Sequence, residues 1–119
     1  MTSQVSAGRR HIFVYGTLKR GHGADVGRHK DVSFVAEDAI KGDIYHIGGF
    51  PGVKLGTDNV VHGEVYNVPD TIIPMLDAYE GHPTLFIRRD IETVSGLPVT
   101  MYEYNHDVAK RSRIPEGTW

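Results

Sequence analysis

Ile12-Phe13-Val14-Tyr15-Gly16-Thr17-Leu18-Lys19-Arg20-Gly21-His22-Gly23 is the stretch on which the reading of the fold turns. Its first four residues are β-branched or aromatic, show no polar alternation and stop at Gly16. A run of that kind is a strand apolar on both faces, and hence a central one. Three glycines in the eight positions 16–23 then make a loop. A strand that breaks sharply at glycine leaves successive backbone N–H groups past the end of its ladder. If those groups converge they form a small anion or oxyanion site, and Gly16 removes the side chain that would block the approach. The same residues also fit an ordinary strand-to-loop turn. They are not a phosphate-binding P-loop, because a Gly-Lys-Ser/Thr ending is missing. The dinucleotide fingerprint does not fit the glycine spacing either.

Outward from this strand the chain reads as one small unit. It has 119 residues, 39% hydrophobic and 24% charged, so it can bury one core. Fourteen glycines point to many short strands and tight turns, not to a helical bundle. Upstream, residues 1–10 are small, polar and basic and read as a flexible leader, leaving 11–119 as the domain. No cysteine is present, which excludes disulfides, a thiol nucleophile and thiolate metal sites. A net charge of −2 gives no electrostatic reason to expect nucleic acid or a membrane as partner. No apolar run approaches the roughly 20 residues of a membrane helix. The first residues lack a secretory apolar centre, and a cytoplasmic setting is expected.

Downstream, residues 33–47 predict one long strand with a bulge at Gly42, or two strands. Residues 48–52 (Gly-Gly-Phe-Pro-Gly) predict a loop, and 60–66 a strand with Val61, Gly63 and Val65 on one face. Asp70 is the expected N-cap of the one convincing helix, with Ile72, Ile73, Leu76 and Tyr79 at helical spacing and Gly81 as its stop. Residues 85–94 and 98–105 predict a hairpin turning at Ser95-Gly96. Trp119, the only tryptophan, should pack its tail down. The sum is a curled or closed, antiparallel-rich sheet with a helix at one end.

Glu80 ends that helix. An acid there faces the negative pole of the helix dipole, and burial would raise its pKa further. A carboxyl tuned upward suits a general base near neutral pH; a solvated Glu before a C-terminal Gly fits the pattern too. Asp77, three residues earlier, lies on the same face, where it could pair with Glu80 or take a local hydrogen bond. Seven histidines are scattered without ligand spacing, so no metal site is expected. The basic pairs Lys19-Arg20, Arg88-Arg89 and Lys110-Arg111 are isolated. One of them could receive a substrate carboxylate.

Taken in order, these segments resemble the γ-glutamylcyclotransferase-like proteins over about residues 11–119. The shared pattern begins with Phe13-Val14-Tyr15-Gly16-Thr17-Leu18-Lys19-Arg20-Gly21, then Phe50-Pro51-Gly52, then Val61-His62-Gly63-Glu64-Val65-Tyr66. It continues through Leu76-Asp77-Ala78-Tyr79-Glu80-Gly81, Phe86-Ile87-Arg88, Met101-Tyr102-Glu103-Tyr104 and Gly117-Thr118-Trp119. The resemblance implies an α+β fold, a small mixed and mostly antiparallel β-barrel flanked by short helices. It implies an enzyme that acts on a small γ-glutamyl amide or amine. The substrate's own α-amino group attacks the γ-carbonyl and releases 5-oxoproline and an amine. Glu80 matches the family's acid/base glutamate. Tyr15, Gly16, Thr17 and Leu18 match its substrate-cradling loop, and Phe86 and Tyr102 complete the expected substrate contacts. No metal or organic cofactor is implied. Many relatives carry tyrosine where this chain has Phe86, so a hydroxyl is lost there, with Tyr79 or Tyr102 as replacements. A non-catalytic small-molecule binding module on the same fold is the alternative.

Overall fold

A computed structural model describes residues 7–16, 18–19 and 26–119. Thr17, expected in the substrate loop, lies outside the described residues. Among the described residues the strands are β1 (Arg9–Val14), β2 (Ser33–His46), β3 (Pro51–Pro69), β4 (Phe86–Glu92) and β5 (Pro98–Tyr104), with one α-helix, α1 (Ile73–Glu80). They form one five-stranded sheet in the order β2-β3-β1-β5-β4. The segment 12–15 is central, as its apolar faces require. Ile12 and Val14 join a core cluster with Leu76 and Phe86, whereas Phe13 and Tyr15 join a second cluster with Ile40, Val61, Val65 and Met101. One strand thus feeds both sides of the sheet, which is why its sequence does not alternate.

Residues 33–46 are a single long strand, with ladder irregularities between Phe34 and Ala36 and between Lys41 and Gly42. At the second of these a Cβ on Gly42 would sit 2.7 Å from the Lys54 carbonyl oxygen. The segment expected at 60–66 is the second half of β3, which begins at Pro51, so Pro51 and Gly52 belong to a strand and not to the loop before it. The edges β2 and β4 are not ladder neighbours, so the expected barrel is not closed by strand pairing. The β4–β5 turn touches β2: Val94 N–H donates to the Ala39 carbonyl at 2.7 Å, and the Ser95 hydroxyl donates to Asp38 Oδ2 at 2.6 Å. The architecture is therefore a curled mixed sheet with one short helix. Arg9 and Arg10, expected in the leader, begin β1.

The hairpin of β4 and β5 turns at Gly96 (φ 91°), as its sequence predicts. Ile87 and Ile91 are only half-buried on this edge strand. The C-terminal segment returns to the sheet, and the Trp119 ring lies 5.5 Å from that of His46.

The helix begins later than expected. A 3-10 turn, Asp70–Ile72, precedes α1, and Ile72 occupies its N-cap without a side-chain cap. Asp70 instead accepts from Arg10 Nε at 2.9 Å, because the extra turn displaces it from the first helical amides and sets it beside β1. Pro74 falls in the first helical positions, where a missing N–H costs nothing. Leu76 is fully buried, but Tyr79, expected on the same face, is 51% exposed. Gly81 ends the helix in the left-handed conformation (φ 67°), and His82 N–H closes the turn on the Asp77 carbonyl at 2.9 Å.

Candidate active site

β1 and β5 run parallel and pair through Ile12 and Thr100. The antiparallel ladder of β1 with β3 ends at Val14 opposite Glu64. Past these points the chain at Tyr15 and Gly16 leaves the sheet, and a hollow opens at the carboxyl end of the parallel pair, the usual place for a site in such an arrangement. Its volume is about 350 Å³. Tyr15, Gly16 and Leu18 line one side; Phe50 and Pro51 line another; Glu80, Leu85, Phe86 and Tyr102 complete it, with Tyr79 also in its wall. Every expected site residue among those described meets here.

Glu80 stands in this hollow at the last position of α1. Burial pushes its carboxyl from 4.5 up to about 7, since the charged form loses its water. The charge of Glu80 in turn adds to burial in pushing the Tyr15 phenol well above its ordinary value. The Tyr15 hydroxyl donates to the Tyr102 carbonyl at 2.7 Å, so this side chain ties the glycine loop to β5.

Opposite lies an aromatic wall. Phe86 is 4% exposed, with ring centroids of Phe50 and Tyr104 at 6.0 and 5.6 Å. The hydroxyl absent from Phe86 is not supplied by Tyr102, whose own hydroxyl donates to Asp77 Oδ1 at 2.6 Å. Gly16 packs on Pro51: a Cβ at Gly16 would meet the proline ring at 2.8 and 3.1 Å. Glycine therefore serves close approach here, and Phe50 and Pro51, read from sequence as part of a loop, line the site. The breakers that suggested a loop hid this, because only the fold shows that they face Gly16.

Asp77 does not pair with Glu80. It holds Arg88 in an ion pair and accepts from Tyr102, and these contacts lower its pKa against the opposing effect of burial. The arginine of the second basic pair is thereby engaged, and Arg89 Nε donates to Glu103 Oε1 at 3.0 Å. Lys19 Nζ reaches the Trp119 carbonyl oxygen at 3.3 Å, and Arg111 donates to the Ile47 carbonyl at 3.0 Å. Among the described residues no Lys or Arg lines the hollow. No helix among them is long and apolar enough to cross a membrane.

A carboxyl that titrates near neutrality, enclosed beside a glycine turn and apolar walls, can move protons on a small molecule held against main-chain donors. Comparison with known proteins shows the family. The family described as "Gamma-glutamyl cyclotransferase, AIG2-like" matches residues 12–119. The chain is 30% identical over 115 residues to the Gamma-glutamylcyclotransferase family protein YtfP of Escherichia coli strain K12, covering 91% of this chain and 94% of that one. The solution NMR structure of Escherichia coli ytfP superposes with a TM-score of 0.73 and 29% identity over 92% of this chain and 95% of that chain. A Gamma-glutamylaminecyclotransferase of Rattus norvegicus is 31% identical over 96 residues, 69% of this chain and 62% of the relative. The chain therefore belongs to the gamma-glutamyl cyclotransferase, AIG2-like family, and that membership marks it as an enzyme of the γ-glutamylcyclotransferase type.

Proposed function

We propose that this chain cleaves a γ-glutamyl amide or amine by intramolecular cyclisation, releasing 5-oxoproline and the free amine, with Glu80 as acid/base. One observation carries the reading: the Glu80 carboxyl, pushed up to about 7 by burial, shares one hollow with Tyr15 and Gly16. The α-amino nitrogen of the substrate attacks its own γ-carbonyl carbon, so the protein needs no nucleophile. As that C–N bond forms, the ionised Glu80 carboxylate takes the amine's proton. The carbonyl oxygen becomes an oxyanion and is received by main-chain N–H groups after Tyr15. Collapse breaks the original amide C–N bond, and Glu80 returns the proton to the departing amine. Atoms balance without water or redox change. Phe50, Leu85, Phe86 and Tyr102 enclose the reacting centre and keep water from it.

A carboxyl value near neutrality supports both proton transfers, because the same group must give up and regain a proton within one turnover. Incubation with a panel of γ-glutamyl amino acids and γ-glutamyl-lysine, with 5-oxoproline measured directly, tests the reading. Release of 5-oxoproline that disappears in Glu80→Gln is expected. Saturable binding without product, unchanged in Glu80→Gln, would instead mark a binding module.

A further inference from the structure

We propose that Asp77 and Arg88 are positioning residues: through the network they make with Tyr102 they clamp the last turn of α1 to β4 and β5 and keep the Glu80 side chain inside the hollow. This inference rests on the acid/base role proposed above for Glu80.

α1 has only eight residues and starts without a side-chain cap. Its buried residues, Ile73 and Leu76, lie in its first half. Beyond Leu76, Ala78 and Tyr79 are exposed, so apolar burial does not anchor the turn that carries Glu80. The anchor is polar. Asp77 receives the Arg88 guanidinium from β4 through Oδ2 and the Tyr102 hydroxyl from β5 through Oδ1, the latter at 2.6 Å. Arg88 N–H also donates to His82 Nδ1 at 3.1 Å, just past the helix end, and the His82 ring stands edge-on to Tyr102 with centroids 6.4 Å apart. Both sides of the Glu80 turn are thus held by the same β4–β5 hairpin. Asp77 and Glu80 are three residues apart, so a movement of one carries the other.

The titratable and charged groups facing Glu80 from the elements packed about it are Asp77 and Tyr79 on its own helix, His82 in the turn, Tyr15 on the loop, Arg88 on β4 and Tyr102 on β5. The high value of Glu80 comes from burial and not from these charges. Release of the clamp should therefore let the carboxyl reach water and titrate lower.

The test is a carboxyl-detected NMR titration of Glu80 in the whole chain, which needs no substrate. In Arg88→Gln the Glu80 midpoint is expected to fall from about 7 by at least about one pH unit. Loss of a neighbouring cation would by charge alone raise it, so the direction separates release from simple electrostatics. Tyr102→Phe alters no charge and should move the midpoint the same way. Ile91→Ala, a half-buried change on β4 outside the network, should lower stability and leave the midpoint in place. A Glu80 midpoint that stays put or rises in folded Arg88→Gln overturns the proposal. So does an unmoved midpoint in Tyr102→Phe. If Glu80→Gln left turnover intact while the clamp variants still lowered the midpoint, the acid/base reading would fail and the positioning effect would stand.

Discussion

Replacing Glu80 with glutamine should make the protein more stable above neutral pH while removing its activity. In the unfolded chain this carboxyl ionises at its ordinary value of 4.5, and in the fold at about 7. Between those values the unfolded state has shed a proton that the folded state still holds, so stability falls as pH rises through the window. Below about 4.5 both states are protonated and nothing is lost; above about 7 both are ionised and the loss is complete. At about 1.4 kcal/mol per pH unit the full loss approaches about 3 kcal/mol. Glutamine carries no titrating proton and avoids it. Urea melts of both proteins at half-unit steps from pH 4 to 8 measure the difference. The two stabilities should nearly coincide at pH 4 and separate by about 2–3 kcal/mol at pH 8. For a chain of this size that is a rise in melting temperature of roughly 10 °C. Parallel curves across the range would refute the reasoning, because they would mean that Glu80 is solvated in the fold and that its enclosure is not real.

The same titration governs turnover: kcat/KM should rise tenfold per pH unit below about 7 and flatten above it, as a pH–rate profile would show. Gly16→Ala places a Cβ against the Pro51 ring at 2.8 Å; the glycine turn and the aromatic wall must separate, and a loss in kcat/KM of roughly tenfold or more with a melting shift of only a few degrees is expected. Leu76→Ala should cost about 2–5 kcal/mol in chemical melts, since the side chain is wholly buried between α1 and the sheet. Gly63→Ala should be poorly tolerated, because its Cβ would lie 2.3 Å from the Val14 carbonyl oxygen, a backbone atom of the central strand; soluble, folded protein at wild-type yield would contradict the register of β1 on β3.

How much of this was legible in the residues depended on range. The central strand at 12–15, the hairpin turning at Gly96 and the helix stop at Gly81 are local matters of side-chain branching and glycine conformation, and the chain states them directly. Asp70 misled because a cap is recognised by residue type, whereas the 3-10 turn that moved it toward Arg10 is set by how the chain enters from β3. Tyr79 misled for a related reason: helical spacing gives the face, but a helix only two turns long buries just the part that crosses the sheet. Asp77 was readable as a candidate and not as a clamp, since Arg88 and Tyr102 lie 11 and 25 residues away.

The sequence by itself determined that a glycine-broken central strand and a helix-terminal acid exist, and the order of its motifs carried the resemblance to a family. Only the tertiary structure decided that the two share one hollow, that Pro51 packs on Gly16 beside Phe50 in its wall and that burial lifts the Glu80 carboxyl toward neutrality. Local geometry is encoded in neighbouring residues. The proton affinity of a carboxyl depends instead on what surrounds it, and here those surroundings come from segments that meet only when the sheet curls.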